Sequence, residues 1–364
     1  MWRMLIISMF SLCLLGAVYI IFRFHKLSFV QRIARKSHLL GWLACLLPLA
    51  VSACFLAVNV YAAVIVFLHL IVVWLLSDAI GFVIKKLSRR TFRRYWAGAA
   101  ALAFTAVYLG VGWFCAHHVF LTRYTFTTDK LQQPLRVALV ADSHLGITQN
   151  GKTFDREMQR LQQHHPDVLV LAGDFVDDDS SREDMLAACE ALGRLELPYG
   201  VYFIYGNHDK GYFHYRNFST QELDDALARN GVVILEDASV LLDDRFYLIG
   251  RQDRTERGRA DMSALTQSLD TAKYMILLDH QPNDYAAEAA SGVDLVLSGH
   301  THGGHIFPAG QIGLLMGAND RRYGTETRSG TTFVVTSGIS GWAIPFKTGT
   351  FSETVLIDLV PANP

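Results

Sequence analysis

The stretch VDLVLSGHTHGGH, residues 293–305, joins an apolar run to a cluster of three histidines. A short apolar run of this kind is typical of a strand buried in a sheet. Glycines lie among His300, His302 and His305, and glycine allows the sharp turns and close backbone approaches that ligand sites need. The residues alone leave open which of the three histidines bind a metal ion and which only lie in a loop.

Four earlier apolar runs also end in polar clusters. The clusters are Asp142-Ser143-His144, Gly173-Asp174, Gly206-Asn207-His208-Asp209 and Asp279-His280. Helical patterns separate the runs at about 153–164, 183–193, 220–229 and 283–290, and this alternation predicts an α/β domain. Because α/β folds bind ligands at the carboxyl ends of their strands, five runs are expected to bring Asp, Asn and His to one sheet edge.

This set of side chains predicts a metal centre. Carboxylates and imidazoles suit Mn, Fe or Zn, and the absence of cysteine from the clusters argues against a closed structural zinc site. The candidates outnumber one coordination sphere, so two divalent ions sharing a bridging carboxylate fit better. Two ions about 4 Å apart can generate a hydroxide and clamp a phosphoryl group during in-line attack.

The ordered series DSH, GDFVD, GNHD, DHQP and GHTHGG resembles the calcineurin-like metallophosphoesterase family. The family pattern is D-x-H, G-D-x-x-D, G-N-H-[DE], H and G-H-x-H, and the match spans about 135–304, with closing strands to about 360. The resemblance implies a four-layer sandwich of two mixed β-sheets flanked by helices. We therefore assign residues 135–364 to this domain.

The resemblance also implies a role for each polar residue. Asp142, His144 and His302 would bind the first ion, Asn207, His280 and His300 the second, and Asp174 would bridge both. His208 would contact the phosphoryl oxygen and could protonate the leaving group, while Asp209 would orient His208. Asp177 would support a ligand without binding an ion itself.

Four further residues are candidates with open alternatives. Arg321 and Arg322 follow a Gly-containing stretch and either hold a substrate phosphate or lie on the loop surface. His305 stands where relatives in the bacterial membrane-associated phosphodiesterase branch commonly have Gln, and it is either a pocket-wall residue or surface. His214 follows the GNHD cluster and is a further candidate to line the pocket.

The N-terminal third has the composition of a membrane domain. Up to Thr128 the chain has thirteen Lys and Arg and one acid, Asp78, whereas the remainder has 33 acids and 20 basic residues. Apolar stretches at about 4–22, 39–57, 60–84 and 97–116 are long enough to cross a bilayer as helices. These predict a four-helix transmembrane region over 1–116, joined to the second domain by a linker over 117–134.

The basic loops predict the orientation. Both long loops are rich in Lys and Arg, which places them in the cytoplasm and the second domain outside it, at the plasma (inner) membrane. Asp78 is either a functional intramembrane acid or a helix-end acid paired with Lys85 or Lys86, and we favour the pairing.

We therefore expect a membrane-anchored phosphoesterase acting on a phosphodiester or pyrophosphate, with a lipid-linked or cell-envelope substrate suggested by the anchor. Some relatives in the bacterial branch hydrolyse a lipid-linked pyrophosphate. The alternatives are a phosphomonoesterase and a non-catalytic metal-dependent sensor. The bilayer and a phosphate ester are the expected partners, no nucleic acid is expected, and the oligomeric state is left open.

Overall fold

The computed structural model describes residues 2–89, 94–212 and 216–362, with side chains from residue 11 onward. The chain divides into two compact units, Met1–Val111 and Gly112–Pro364, which are described separately below. The boundary between the units falls inside the helix Trp96–His117, whereas the sequence-based division placed it at the end of this helix.

The N-terminal unit is helical. Its helices are α1 (Trp2–Phe24), α2 (Ser28–Lys36), α3 (His38–Ala44), α4 (Leu47–Cys54), α5 (Val60–Ser88) and the first part of α6 (Trp96–His117). Within the described residues, His38–Ala57, α5 and α6 are each long and apolar enough to cross a membrane. A fourth candidate arises only if Ser11–Phe24 and α2, bent by 77°, count as one span. Arg90 and Arg93 of the second basic loop lie outside the described residues.

Asp78 is paired between helices. Its carboxylate lies 2.7 Å from Nε of Arg23 on α1 and accepts a hydrogen bond of 2.6 Å from the Tyr95 hydroxyl. The expected pairing with a basic residue is present, but the partner is Arg23. In the described part of the chain no ion pair joins Asp78 to Lys85 or Lys86. An acid in an apolar helix needs such partners, because an unpaired carboxylate is costly there.

The C-terminal unit contains two six-stranded sheets. The strands are β1 (Val119–Thr128), β2 (Leu135–Val140), β3 (Val168–Ala172), β4 (Val201–Ile204), β5 (Val232–Ile234), β6 (Ala238–Leu242), β7 (Phe246–Gly250), β8 (Tyr274–Leu278), β9 (Leu295–Ser298), β10 (Gly324–Arg328), β11 (Thr331–Val335) and β12 (Ser352–Pro361). The strand orders are β1-β12-β2-β3-β4-β5 and β10-β11-β9-β8-β7-β6. Each sheet mixes parallel and antiparallel pairs, as expected.

Side chains that alternate between the two faces of each sheet pack the sheets and helices into four layers. In β2, Val137 and Leu139 point into a core shared with the second sheet, whereas Ala138 and Val140 face the helices on the outer side. The helices of the unit are α7 (Gly151–Gln162), α8 (Arg182–Gly193), α9 (Thr220–Arg229), α10 (Met262–Thr266), α11 (Tyr285–Ala290) and α12 (Ala309–Leu315). The first three cover the first sheet, and α10 and α11 cover the second, so the predicted four-layer sandwich is confirmed.

The segment expected as a linker, 117–134, is largely ordered as β1. This strand pairs in parallel with β12 over its whole length, from Val119 with Ser352 to Thr128 with Pro361. The linker expectation is corrected here, because β1 has one solvent-facing side and resembles a polar connection in sequence. Since α6 ends at His117, only His118 separates the last apolar helix from the sheet.

Candidate metal centre

Polar side chains converge at the carboxyl ends of five strands. Asp142 and His144 follow β2, Asp174 follows β3, Asn207 and His208 follow β4, His280 follows β8, and His300 and His302 follow β9. Within each sheet these strands run parallel to one another, so their carboxyl ends lie at the same edge. The structure thus brings the predicted clusters together.

The first group consists of Asp142, His144 and His302, all buried, with one ligand atom from each lying within 4.8 Å of the others. Nε2 of His302 lies 3.8 Å from Oδ1 of Asp142. Two ligands that each bind an ion at about 2.1 Å stand roughly 3–3.5 Å apart, so this spacing suits a shared cation after a small contraction.

The second group consists of Asp174, His280 and His300, again within 4.8 Å of one another. Oδ2 of Asp174 lies 3.2 Å from Nε2 of His280 and 3.5 Å from Nε2 of His144, which belongs to the first group. Asp174 therefore faces both groups, as a bridging carboxylate must. The Asn207 Oδ1 atom lies 2.9 Å from Nδ1 of His300, beside this second group.

The donor atoms fit divalent cations. Nε2 of His144 and Nε2 of His280 are buried and make no hydrogen bond of acceptable geometry with any described residue. A buried polar atom without a partner is costly, so two imidazole nitrogens aimed at one carboxylate call for a further partner. Neutral imidazole and carboxylate are suitable ligands for Mn, Fe or Zn, whose identity the geometry does not select.

The charges of the cluster depend strongly on one another. Burial raises the pKa of Asp142 to about 6, with His280 opposing the rise. Burial would also raise the pKa of Asp174, but His280 and His144 hold it well below its usual range. Burial disfavours the charged form of His280, yet Asp174 keeps the pKa of this imidazole well above its usual value. A proton on His280 thus helps to balance the buried carboxylates of this cluster, and divalent cations would replace it.

The ligand-bearing loops have an unusual backbone. Five residues of the two groups have positive φ angles: Asp142 at 54°, His144 at 36°, Asp174 at 51°, His300 at 68° and His302 at 46°. Positive φ is uncommon outside glycine, and Asp and His are among the residues that tolerate it best. Sharp turns of this kind let residues close in sequence direct their side chains into one small volume.

Gly299 and Gly206 allow two strand ends to approach the carboxylates. A Cβ atom on Gly299 would lie 2.5 Å from Oδ2 of Asp142, and one on Gly206 would lie 2.2 Å from Oδ1 of Asp174. Both distances are far below van der Waals contact. The glycines in the motifs are therefore required by packing against the ligands.

Hydrogen bonds fix the ring nitrogens that face away from the cluster. Nδ1 of His144 lies 3.0 Å from Oδ2 of Asp177, and Nδ1 of His280 lies 2.8 Å from the Ala172 carbonyl. Such contacts orient metal-binding imidazoles and leave Nε2 free for the ion. Asp177 is buried, and its carboxylate is the partner of the His144 ring on the side that faces away from the cluster.

Asp209 has a different role from the one expected. Its carboxylate accepts hydrogen bonds from the backbone amides of Asp174 (2.8 Å), Val176 (3.0 Å) and Gly206 (2.6 Å). Among the described residues, it accepts none from the ring of His208. Asp209 thus holds the β3 and β4 loops together beneath Asp174, which corrects the expectation that it orients His208.

His208 lies at the mouth of the cluster. Its backbone amide donates to Oδ1 of Asp174 at 2.8 Å, and its ring centroid is 5.2 Å from that of His144. Two aromatic residues absent from the sequence-based prediction contact it, Tyr212 at 4.9 Å and Trp342 at 5.2 Å. Burial lowers the pKa of His208. A largely neutral imidazole beside the cluster can donate a hydrogen bond to a phosphoryl oxygen.

The four candidate substrate contacts lie in different surroundings. Arg321 pairs with Glu326 at 3.0 Å, which engages its guanidinium in a local ion pair. Arg322 donates to the Gly303 carbonyl at 2.7 Å and lines a cavity of about 260 Å³ that also includes His300 and His305. His214 lies outside the described residues.

His305 is partly buried against the first ligand group. Its ring stacks on His302 with centroids 5.3 Å apart, and its Nε2 lies 3.1 Å from the Ile344 carbonyl. Burial lowers the pKa of His305 to about 3. His305 is therefore a neutral wall residue that packs behind a ligand.

Comparisons with known proteins agree with this geometry. The calcineurin-like phosphoesterase family matches residues 135–304. An uncharacterized metallophosphoesterase of Aquifex aeolicus is 30% identical over 245 residues, which cover 65% of this chain and 90% of that protein. A zebrafish transmembrane protein with a metallophosphoesterase domain is 30% identical over 251 residues, covering 63% of this chain and 54% of the relative.

Among solved structures, a dimetal phosphatase from Danio rerio is similar with a TM-score of 0.36 and 11% identity, covering 55% of this chain and 86% of that one. The chain spans only about 60% of several other curated relatives, including a Helicobacter pylori metallophosphoesterase of which it covers 62%.

Proposed function

Because this chain belongs to the calcineurin-like metallophosphoesterase family, we propose that it is a membrane-anchored phosphoesterase with a binuclear metal centre, cleaving a phosphodiester or pyrophosphate. The observation that carries the proposal is Asp174, whose Oδ2 faces His144 of one ligand group and His280 of the other. A carboxylate shared by two groups is the arrangement that two neighbouring ions need. When bound, two divalent ions supply Lewis-acid activation of water and of the phosphoryl group.

The protein residues have distinct tasks in this proposal. Asp142, His144 and His302 would hold one ion, Asn207, His280 and His300 would hold the other, and Asp174 would serve both. His208 contacts the phosphoryl oxygens from the mouth of the site. Arg322 stays near enough to the His300 side of the cavity to meet a substrate phosphate, whereas Arg321 does not.

The membrane part of the proposal rests on composition and on three or four span-length helices. The Lys and Arg content of the two long loops favours a cytoplasmic position for these loops. The C-terminal unit would then be extracytoplasmic, at the plasma membrane. Resemblance to the bacterial membrane-associated phosphodiesterase branch and the anchor together favour a lipid-linked or cell-envelope substrate. Reporter fusions after residue 130 test the orientation, and reporter activity confined to the cytoplasm would reverse it.

Hydrolysis of chromogenic esters tests the activity. The full chain in detergent, loaded with Mn²⁺, should hydrolyse a bis-aryl phosphodiester faster than the aryl monoester. His208→Ala should lower turnover by about 10²–10³-fold and leave the metal content nearly unchanged, because His208 is placed at the mouth and not among the ligands. Preference for the monoester would favour a phosphomonoesterase, and no turnover of either ester with metal bound would favour a sensor.

A further inference from the structure

An apolar segment, Phe307–Met316, lies exposed on the C-terminal unit. It includes the short helix α12, and its side chains at Phe307, Leu315 and Met316 are 53%, 89% and 79% exposed. Residues 306–319 contain no Asp, Glu, Lys or Arg. A soluble surface seldom leaves so many large apolar side chains together in water, so this segment calls for a covering partner.

Hydrogen bonds connect the segment to the end of α6. The Lys347 amide donates to the Gly112 carbonyl of α6 at 2.9 Å. The next residue, Thr348, donates its amide to the His305 carbonyl at 3.0 Å, and its Oγ1 accepts from the Phe307 amide at 3.1 Å. Two consecutive residues thus connect α6 to the apolar segment, and all of these residues belong to the C-terminal unit.

Gly112 lies close to the end of the candidate span. Helix α6 ends at His117, five residues later, which corresponds to roughly 7–8 Å along the helix axis. Apolar faces of interfacial helices insert to a depth of about 5–10 Å. If α6 crosses the bilayer, the loop at Lys347 and Thr348 lies at the boundary between headgroups and acyl chains.

Aromatic residues surround the same end of α6. The ring of Trp113 packs on Phe346 at 5.4 Å, and Phe120 contacts both Phe114 at 6.2 Å and Phe351 at 5.1 Å. Aromatic side chains are enriched where membrane proteins cross the interface. This cluster independently marks the end of α6 as the interfacial level.

We propose that Phe307–Met316 inserts into the surface of the bilayer beside α6. The proposal rests on the membrane anchoring proposed above and commits to the lipid bilayer as the occupant. The segment has the required composition, uncharged and apolar, and it is held at the interfacial level by Thr348. Leu314 of the segment also lines the cavity that contains His300 and Arg322, so the site would open beside the lipid surface.

Photocrosslinking tests the insertion without relying on turnover. The full chain is reconstituted in phosphatidylcholine vesicles containing a phospholipid with a diazirine in its acyl chain, irradiated, digested and mapped by mass spectrometry. Crosslinks should appear in the peptide containing 307–316 as well as in the spans. Lipid crosslinks confined to the spans, with none in the peptide containing 307–316, would overturn the proposal.

A double variant in the segment and control variants outside it test whether the crosslinking depends on the apolar side chains. The double substitution Leu315→Glu and Met316→Glu should lower lipid crosslinking at 307–316 by about tenfold, since carboxylates are strongly disfavoured among acyl chains, while crosslinking within 96–117 stays unchanged. Val233→Glu and Leu241→Glu, at exposed apolar positions outside the segment, are the matched controls and should change neither. Unchanged crosslinking in the double variant would refute insertion. Bis-aryl diester hydrolysis in detergent reports separately on the phosphoesterase proposal.

Discussion

Replacement of Asp209 with Ala distinguishes a loop-holding role from an imidazole-orienting one. The Asp209 carboxylate is completely buried and accepts three backbone hydrogen bonds from the loops that carry Asp174 and Gly206. Alanine leaves those three amides without acceptors in a site that excludes water. Because the amide of Asp174 itself is one of them, we expect the bridging carboxylate to lose its position.

The expected destabilisation follows from those contacts. Leaving a buried donor unpaired costs about 1–3 kcal/mol, so three amides amount to on the order of 5 kcal/mol. For a unit of this size, 1 kcal/mol shifts Tm by about 2–4 °C, which predicts a loss of roughly 10 °C or more. Asp209→Asn keeps one acceptor oxygen and should fall between the wild type and Asp209→Ala.

The assay compares the Asp209 variants with His208→Ala in the full chain. Tm is followed by intrinsic fluorescence in detergent, and bound metal is counted by elemental mass spectrometry. Asp209→Ala should lose Tm and metal together, whereas His208→Ala should lose only turnover. Normal Tm and metal content in Asp209→Ala, with turnover reduced as in His208→Ala, would refute the loop-holding role.

Three further predictions follow from the metal centre and its surroundings. Removing metal with a chelator should lower Tm, because two ions at 100 times their Kd stabilise the fold by about 5 kcal/mol; an unchanged Tm would mean that the fold does not depend on the ions. Gly299→Ala should reduce metal stoichiometry, since its Cβ would meet Asp142, and full stoichiometry would contradict this reading of the 2.5 Å distance. Burial and Asp279 raise the pKa of Glu288 well above its usual value. Glu288 therefore contributes stability at pH values below its pKa in the unfolded chain, and this contribution is lost as the pH rises through its pKa in the folded protein. Glu288→Gln should for this reason raise Tm relative to wild type at pH 8 but not at pH 4.

The sequence predicted most of the strands that are buried on both faces, but not β7, which is also largely buried. The runs in β2, β3, β8 and β9 are almost entirely apolar, with Arg136 of β2 as the charged exception, because each strand packs against the other sheet on one side and helices on the other. Strands β1 and β6 escaped prediction because one of their faces is exposed and their composition resembles that of a connection. The alternation of burial in such edge strands is weak evidence until their neighbours are known.

Motifs predicted which residues meet, but not every direction in which a side chain points. His144, Asp174 and His280 were predictable because few residue types bind these ions and each follows a strand. Asp209 was misassigned, since adjacency to His208 in sequence does not place two side chains together where the chain turns. Trp342 carries no pattern of its own, and only the fold brings its loop over His208.

Two energetically unfavourable features, positive φ angles and buried carboxylates, occur at the same strand ends. Positive φ angles at Asp142, Asp174 and His300 are each unfavourable by about 1–2 kcal/mol, and the same segments bury carboxylates with few neutral hydrogen-bond donors. The rest of the fold contributes rigidity, because the strands that lead into these turns are buried in the cores of both sheets. Other strands are followed by positive φ angles without buried charge: Asp237 after β5, Asp243 and Asp244 after β6, and Ser329 after β10 have positive φ angles but are not buried. Among the described residues, a positive φ angle and a buried carboxylate occur together at Asp142 and Asp174, where cations would neutralise the charge, and this coincidence is a physical reason to regard the site as a metal centre.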